Sequence, residues 1–234
     1  MAGVPRPARS GWTIALLAGV IGALIGALAM SLASGRMVRS YLLDHPEVIP
    51  EAMERLQDRQ AGAAVSQHRA ALETPFHGAW AGAADGDVVL VEFFDYACGF
   101  CRAANPHVER LLREDPRLKV VWREFPVLGP ASEQAAVASL AAARSGRFRQ
   151  YFESLFQTAR PSEATIAAAA RAAGIAPAQL TPEFRSEIQK NLELGAAIGA
   201  RGTPTFVVGN QVLHGAVGYE VLRDAVAEAR ASRG

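Results

Sequence analysis

Two cysteines, the only ones in the chain of 234 residues, are separated by two residues in the segment DYACGFC, where they are Cys98 and Cys101. The apolar run 88–94 just before them predicts a strand, and the residues after them predict a helix. The unpaired N–H groups and the dipole of a helix N-terminus stabilise a thiolate, which makes the first cysteine a nucleophile. The second cysteine is close enough to resolve a mixed disulfide. The spacing therefore predicts thiol–disulfide exchange, with Cys98 attacking and Cys101 resolving.

Other uses of a cysteine pair fit this sequence less well. A zinc site needs two more ligands, and the five histidines show no metal-ligand spacing. A structural disulfide is disfavoured, because so short a loop restrains little of the unfolded chain. Reduced thiols also bind Cu(I), so copper binding by Cys98 and Cys101 stays an alternative. We predict no other metal and no cofactor beyond the redox-active disulfide Cys98–Cys101.

The composition indicates a globular protein with an unusual N-terminus. Half of the residues are hydrophobic, and the net charge of +1 argues against a nucleic-acid partner. Residues 10–35 carry no charge, and as a helix they would be about 39 Å long, enough to cross a bilayer. We therefore predict a membrane anchor over residues 1–35. The alternative is a signal segment that is cleaved near Ala27–Ala29 and releases the protein.

Residues 36–73 predict a helical stalk. An apolar stripe of Val48, Ile49, Met53 and Leu56 fades into alanine and glutamine, so this segment cannot form a core alone. It serves either as a solvated spacer or as a self-association helix that makes homo-oligomers.

Residues 74–130 predict the first part of an α/β domain. A Gly-, Ala- and Pro-rich entry loop precedes the strand 88–94, whose near-continuous apolar character is typical of a central strand. A helix over 102–113 and a second strand over 118–125 complete a βαβ unit with a parallel pair.

Residues 131–194 are rich in alanine and predict an inserted helical subdomain. Residues 195–234 return to the first domain, with a hairpin over 203–209 and 211–215 and a final helix over 221–231. The order of elements predicts a thioredoxin-like fold with an inserted helical subdomain, preceded by the stalk and a transmembrane helix.

The segments EFFDYACGFC and GTPTF, with the helical insertion between them, resemble the DsbA-like thiol–disulfide oxidoreductases over residues 87–231. The resemblance implies that Thr203–Pro204 is a cis peptide facing the cysteines, with a backbone that pairs with a substrate chain. It also implies that Glu92 lies beneath the cysteines and relays protons to or from Cys101. Without the resemblance, Glu92 either needs a partner or a proton in the core, or reaches solvent at a strand edge.

Two further resemblances bear on the type of activity. Gly99 and Phe100 lack the histidine of the strong-oxidant type, so a less oxidising pair is expected. Together with Thr203, they are similar to the disulfide isomerases of the bacterial periplasm. The segment YLLDHPEVIPEAMERLQ resembles the suppressor of copper sensitivity protein C subgroup, in which it oligomerises some members.

We therefore expect an envelope or periplasmic oxidoreductase acting on unfolded or misoxidised proteins, with a membrane protein as its redox partner. Isomerase or reductase activity is favoured, and a disulfide-donating oxidase is the alternative. A copper-binding or chaperone-like module that uses the groove near Pro204 is the alternative of another class. A glutathione-dependent enzyme is disfavoured, because those enzymes do not use such a cysteine pair.

Overall fold

The computed structural model describes residues 10–158 and 160–232, and the chain divides into two compact units, residues 1–56 and 57–234. The first unit contains helix α1 (Ser10–Asp44) and the beginning of helix α2 (Val48–Glu73). The rest of α2 belongs to the second unit, which contains both cysteines.

The N-terminal segment differs from the prediction of a transmembrane helix. A helix that crosses a bilayer needs about 20 consecutive, predominantly apolar residues. Among the residues that the structure describes, no helix has both the length and the apolar character for this. The membrane anchor predicted over residues 1–35 is therefore not supported, and residues 1–9 of that range lie outside the described residues.

The second unit is built on a five-stranded mixed sheet with the strand order β1-β3-β2-β4-β5. The strands are β1 (Trp80–Gly82), β2 (Val88–Phe94), β3 (Leu118–Glu124), β4 (Thr205–Val208) and β5 (Gln211–His214). The further helices are α3 (Gly99–Glu114), α4 (Pro130–Arg144), α5 (Phe148–Phe156), α6 (Glu163–Ala172), α7 (Pro182–Ala197) and α8 (Tyr219–Ala231). This arrangement is a thioredoxin-like α/β fold with helices α4 to α7 inserted between β3 and β4.

Strand β2 is the central strand, and every one of its residues is buried. It pairs in parallel with β3, from Val88 opposite Leu118 to Phe94 opposite Glu124, which confirms the predicted βαβ unit. On its other side it pairs antiparallel with β4, and β4 and β5 form the predicted hairpin. Strand β1, which pairs antiparallel with β3, was not predicted, because its three residues lie in the Gly- and Ala-rich entry loop.

The sheet is covered on both faces. Helices α3 and α8 and the inserted helices α4 to α6 form the larger core against one face. On the other face, Val65 and Leu72 of α2 pack with Leu194 of α7 and with Val91 of β2. Residues 57–73, predicted as part of a stalk, therefore contribute apolar side chains to the core of the second unit. The alanine-rich composition of this part of α2, which weakens its apolar stripe, does not prevent the helix from packing on the sheet.

A buried arginine fixes the end of α2. Arg123 of β3 is only 1% exposed, and its guanidinium donates to the carbonyl oxygens of Leu72 (3.0 Å) and Thr74 (2.6 Å). It also donates to Asn191 (2.8 Å) and Glu187 (3.3 Å) on α7. The last carbonyl groups of a helix lack partners within the helix. Arg123 satisfies them and joins α2 to α7 on one face of the sheet.

Candidate active site

The turn between β2 and α3 places both cysteines at the start of a helix. Cys98 is the N-cap of α3, with extended backbone angles (φ −79°, ψ 115°), and its sulfur accepts a hydrogen bond from the Cys101 amide at 3.4 Å. Cys101 lies in the first turn of the helix and is fully buried. Both residues are free thiols in the structure. Cys98 keeps 6% of its surface exposed whereas Cys101 has none, so a substrate sulfur reaches Cys98 before Cys101.

The surroundings of Cys98 favour its thiolate. Hydrogen bonding from the Cys101 thiol is the largest of the effects that lower the pKa of Cys98 to about 5. The Thr203 side chain and the backbone N–H groups of Cys101 and Phe100 lower this pKa further, whereas partial burial opposes them. At neutral pH Cys98 is therefore ionised and nucleophilic.

Cys101, in contrast to Cys98, is held as a protonated thiol. Burial raises the pKa of Cys101 far above its ordinary value, and its hydrogen bond to Cys98 and the nearby Glu92 raise it further. Cys101 therefore stays protonated until it transfers its proton to a base. This contrast between the two thiols gives them different roles in exchange.

The loop before β4 lies directly across from Cys98. The Thr203–Pro204 peptide bond is cis, the geometry that the resemblance implies. When protonated, the Cys98 thiol donates to the Thr203 carbonyl oxygen at 3.1 Å, and the Pro204 carbonyl accepts from the Gly215 amide at 2.9 Å. Cys98 and the Thr203–Pro204 loop are therefore in direct contact, although 105 residues separate Cys98 from Thr203.

Glu92 is completely buried in β2, so the reading as an exposed strand-edge residue is wrong. Its Oε2 atom accepts from the indole N–H of Trp122 at 2.9 Å, whereas Oε1 has no hydrogen-bond partner within the described residues. Burial raises the pKa of Glu92 to about 8, against the lowering effect of the Trp122 contact. Glu92 also influences the titration of Cys101. The structure thus brings a carboxyl group with a near-neutral pKa close to the resolving thiol.

Gly99 and Phe100 are both exposed, and Phe100 is 68% accessible to solvent. Beneath them, the inserted helices support the cysteine turn with aromatic rings. Tyr96 packs on Phe156 with ring centroids 4.9 Å apart, and Phe94 packs on Phe152 at 5.2 Å. The insertion therefore anchors the turn that carries Cys98.

Two buried acids near the turn were missed by the sequence analysis. Asp95 is 2% exposed and accepts hydrogen bonds from three backbone amides. Glu124, at the end of β3, is also buried, and burial raises its pKa well above the ordinary value. A carboxylate directly after an apolar strand was the available signal for Asp95.

The described residues contain no group of three or more His, Cys, Asp or Glu side chains that could hold a metal ion. The cysteine pair alone supplies two sulfur ligands. That donor set suits a thiophilic ion such as Cu(I) rather than a tetrahedral zinc site.

A cysteine pair at the start of α3, opposite a cis-proline loop and on this mixed sheet, defines a thioredoxin-like domain whose cysteines are placed for thiol–disulfide chemistry. The chain belongs to the DSBA-like thioredoxin domain family, which matches residues 89–227. The N-terminal domain of copper resistance protein ScsC matches residues 35–63. These matches confirm the resemblances to the DsbA-like oxidoreductases and to the N-terminal segment of the suppressor of copper sensitivity protein C subgroup.

Solved structures with this fold include two that are similar in sequence. A linker-deletion mutant of Proteus mirabilis ScsC is 29% identical, with a TM-score of 0.74, and the match covers 86% of this chain and 96% of that chain. A periplasmic thioredoxin-like protein from Salmonella enterica serovar Typhimurium is 30% identical, with a TM-score of 0.66. That match covers 70% of this chain and 95% of the Salmonella chain.

The curated relatives are longer proteins. The Na(+)/H(+) antiporter NhaA 3 of Salinispora tropica is 31% identical in an alignment of 162 residues that covers 64% of this chain and 24% of that protein. The chain spans about a quarter or less of the length of the curated relatives it matches.

Proposed function

We propose that the chain exchanges disulfides with unfolded or misoxidised proteins in the periplasm or cell envelope, and that it acts mainly as an isomerase or reductase. The observation that carries the proposal is the pairing of an ionised Cys98, which keeps 6% of its surface exposed, with a protonated Cys101 that is fully buried. An isomerase must rest with a free nucleophilic thiolate. The exposed Gly99 and Phe100, the Thr203 contact and the ScsC match at residues 35–63 support the same choice.

The first step is attack of the Cys98 thiolate on a substrate disulfide. A bond forms between the Cys98 sulfur and one substrate sulfur, and the electron pair of the broken S–S bond leaves on the other substrate sulfur. That released thiolate can attack a different disulfide in the substrate. When a substrate thiolate finally displaces Cys98, the substrate is rearranged with no net gain or loss of electrons.

Reductase action follows when Cys101 resolves the mixed disulfide. Glu92 in its ionised form accepts the Cys101 proton, and the Cys101 sulfur then attacks Cys98. The Cys98–Cys101 disulfide forms, and the substrate leaves with two more electrons than it brought. A membrane protein that donates electrons must then reduce the pair again. In the reverse direction, a reduced substrate attacks Cys98 and receives the disulfide, which is the oxidase alternative.

The proposed compartment rests on two arguments. Disulfide substrates persist in oxidising compartments and are rare in the cytosol. A similar structure at 30% identity is a periplasmic thioredoxin-like protein. Homo-oligomers formed through residues 36–56 are part of the proposal because the ScsC N-terminal domain matches residues 35–63.

The test uses the full chain and ribonuclease with scrambled disulfides in a mild thiol buffer. Recovery of ribonuclease activity that is lost in Cys98→Ala supports an isomerase. Rapid oxidation of reduced ribonuclease without reactivation of the scrambled form supports the oxidase instead. Absence of both activities would contradict the proposal. Cys101→Ala separates the two routes, because isomerisation by Cys98 alone can continue without the resolving thiol.

The binding-module alternative rests on the pair of free thiols at one site. Titration of the reduced chain with Cu(I) against a competing chelator measures whether one ion is retained per chain. Retention that disappears in Cys98→Ala, together with no exchange on either ribonuclease substrate, would favour copper binding over catalysis.

A further inference from the structure

Asp95 connects the cysteine turn to a second loop. One oxygen of its buried carboxylate, Oδ1, accepts from the Ala97 amide at 2.8 Å, and its own carbonyl accepts from the Cys98 amide at 3.0 Å. The other oxygen, Oδ2, accepts from the amides of Val127 and Leu128, both at 3.0 Å. Hydrogen bonds to an ionised acceptor are about twice as strong as neutral ones. A single carboxylate therefore fixes the loop after β3 to the turn that carries the nucleophile.

The loop held by Asp95 presents apolar side chains to solvent. In the described part of residues 57–234, four large hydrophobic residues are mostly or about half exposed: Phe100, Val127, Leu128 and Val221. Phe100 lies in the first turn of α3, and Val127 and Leu128 lie in the loop after β3 that Asp95 holds. Only Val221 lies elsewhere, on α8. Exposed apolar side chains that cluster around a reactive group indicate a contact surface.

We propose that Asp95 is a positioning residue for substrate choice, because it ties the backbone of Val127 and Leu128 to the turn that carries Cys98. Cysteines flanked by apolar residues then react faster than cysteines flanked by polar residues. Such segments are exposed in non-native proteins and buried in native ones, so this inference names the substrate class of the proposed function and rests on it.

The hydrogen bonds of Asp95 indicate that it positions the loop after β3 and does not only stabilise the cysteine turn. A residue that only stabilised the cysteine turn would need its contacts to Ala97 and Cys98 alone. Asp95 uses its second oxygen on the backbone of Val127 and Leu128, whose side chains add little to the core. Burying one or two apolar side chains of a substrate on this loop contributes on the order of 1–2 kcal/mol, a rate ratio of about tenfold.

The experiment compares two disulfide-bonded peptides of equal length, one with Leu and Val beside each cysteine and the other with Ser. The fully reduced chain is mixed with each peptide, and the second-order rate of peptide reduction is measured in a single turnover. In this reaction the peptide disulfide is reduced while Cys98 and Cys101 become a disulfide. The ratio of the two rates cancels any change in the intrinsic reactivity of Cys98.

We expect the wild type to reduce the Leu/Val peptide about 10 times faster than the Ser peptide. In Asp95→Asn this ratio should fall to near 1, because the NH₂ group of asparagine faces backbone N–H groups and cannot accept their hydrogen bonds. The double variant Val127→Ser with Leu128→Ser should also give a ratio near 1. Val221→Ser is the matched control, because it removes an exposed apolar side chain on α8, and it should keep the wild-type ratio.

Equal rates for both peptides in the wild type, or an unchanged ratio in Asp95→Asn, would overturn this inference while leaving the proposed function intact. No reaction with either peptide would overturn both. Amide hydrogen exchange of the wild type provides a second measurement if Asp95→Asn fails to fold. The Val127 and Leu128 amides should exchange at least about 100-fold more slowly than in an unfolded peptide, and unprotected exchange would overturn the inference.

Discussion

The Cys98 sulfur lies 3.1 Å from the carbonyl oxygen of Thr203, so the nucleophile and the loop that faces it form one unit. The Thr203 side chain is also among the groups that lower the pKa of Cys98. The loop before β4 therefore affects the charge of the nucleophile as well as the approach of a substrate.

We first predict that Cys98 titrates with a pKa of about 5 and that Thr203→Val raises this value. Valine keeps the shape of threonine but removes the hydroxyl group, so a rise of about one unit or less is expected. Thiolate absorbance near 240 nm, followed against pH, measures both values. Thr158→Val, which removes a hydroxyl that donates to the Leu155 carbonyl and is not among the groups that shift the pKa of Cys98, is the control. A pKa that is the same in both variants would contradict the prediction.

A second prediction concerns stability and pH. Burial raises the pKa of Glu92 from 4.5 to about 8, so between these values the folded protein holds a proton that the unfolded chain has released. The free energy of unfolding should therefore fall as pH rises from about 4.5 to 8, by roughly 3–5 kcal/mol from this residue. Urea unfolding of the reduced protein at several pH values measures this effect.

Glu92→Gln should remove that part of the pH dependence, because glutamine has no proton to lose. Glu193→Gln, at an exposed position on α7, should retain the wild-type slope. If Glu92→Gln and the wild type lost stability in parallel above pH 5, Glu92 would not hold a proton in the folded state.

The third prediction concerns the arginine that fixes α2. Arg123→Met leaves the Leu72 and Thr74 carbonyls without their donor and leaves Glu187 without its buried partner. Removing one member of a buried ion pair typically destabilises a protein by about 3–5 kcal/mol. Denaturant unfolding measures the change, with Arg171→Met on the exposed side of α6 as control. A loss of less than about 1 kcal/mol would show that the buried contacts contribute little.

The fourth prediction is that Glu124→Gln is tolerated. Burial, together with the nearby Asp95, raises the pKa of Glu124, which favours the protonated form of its carboxyl group in the folded protein. A neutral amide of the same shape should change the free energy of unfolding by less than about 1 kcal/mol at pH 7. Thermal unfolding measures this effect, and Glu124→Ala, which leaves a cavity, should be clearly less stable. Equal losses in the two variants would mean that the carboxyl group is ionised.

Elements with a strong local pattern could be predicted from the sequence. The apolar run 88–94 had the length and composition of a central strand, and the structure has β2 at the same bounds. The cysteine pair was assigned to a helix start because Cys98 follows that strand directly. The hairpin around Gly209 was predicted from its turn residues, and Gly209 adopts a positive φ of 60° there.

Features that depend on distant contacts could not be predicted. The second half of α2 has no strong apolar stripe, and its burial depends on partners such as Leu194 that are remote in sequence. The contacts of Asp95 with Val127 and Leu128 appear only after β3 has been placed beside β2. Local sequence likewise cannot distinguish a buried Glu92 from one at a strand edge.

The anchoring of α2 by Arg123 also determines where the catalytic region can be separated from the rest of the protein. A fragment that began after Glu73 would expose the apolar surface that Val65 and Leu72 cover, and it would leave the buried Arg123 without the carbonyl groups of Leu72 and Thr74. The smallest self-sufficient catalytic fragment therefore has to begin upstream of Val65, and the compact unit that contains both cysteines begins at Gln57.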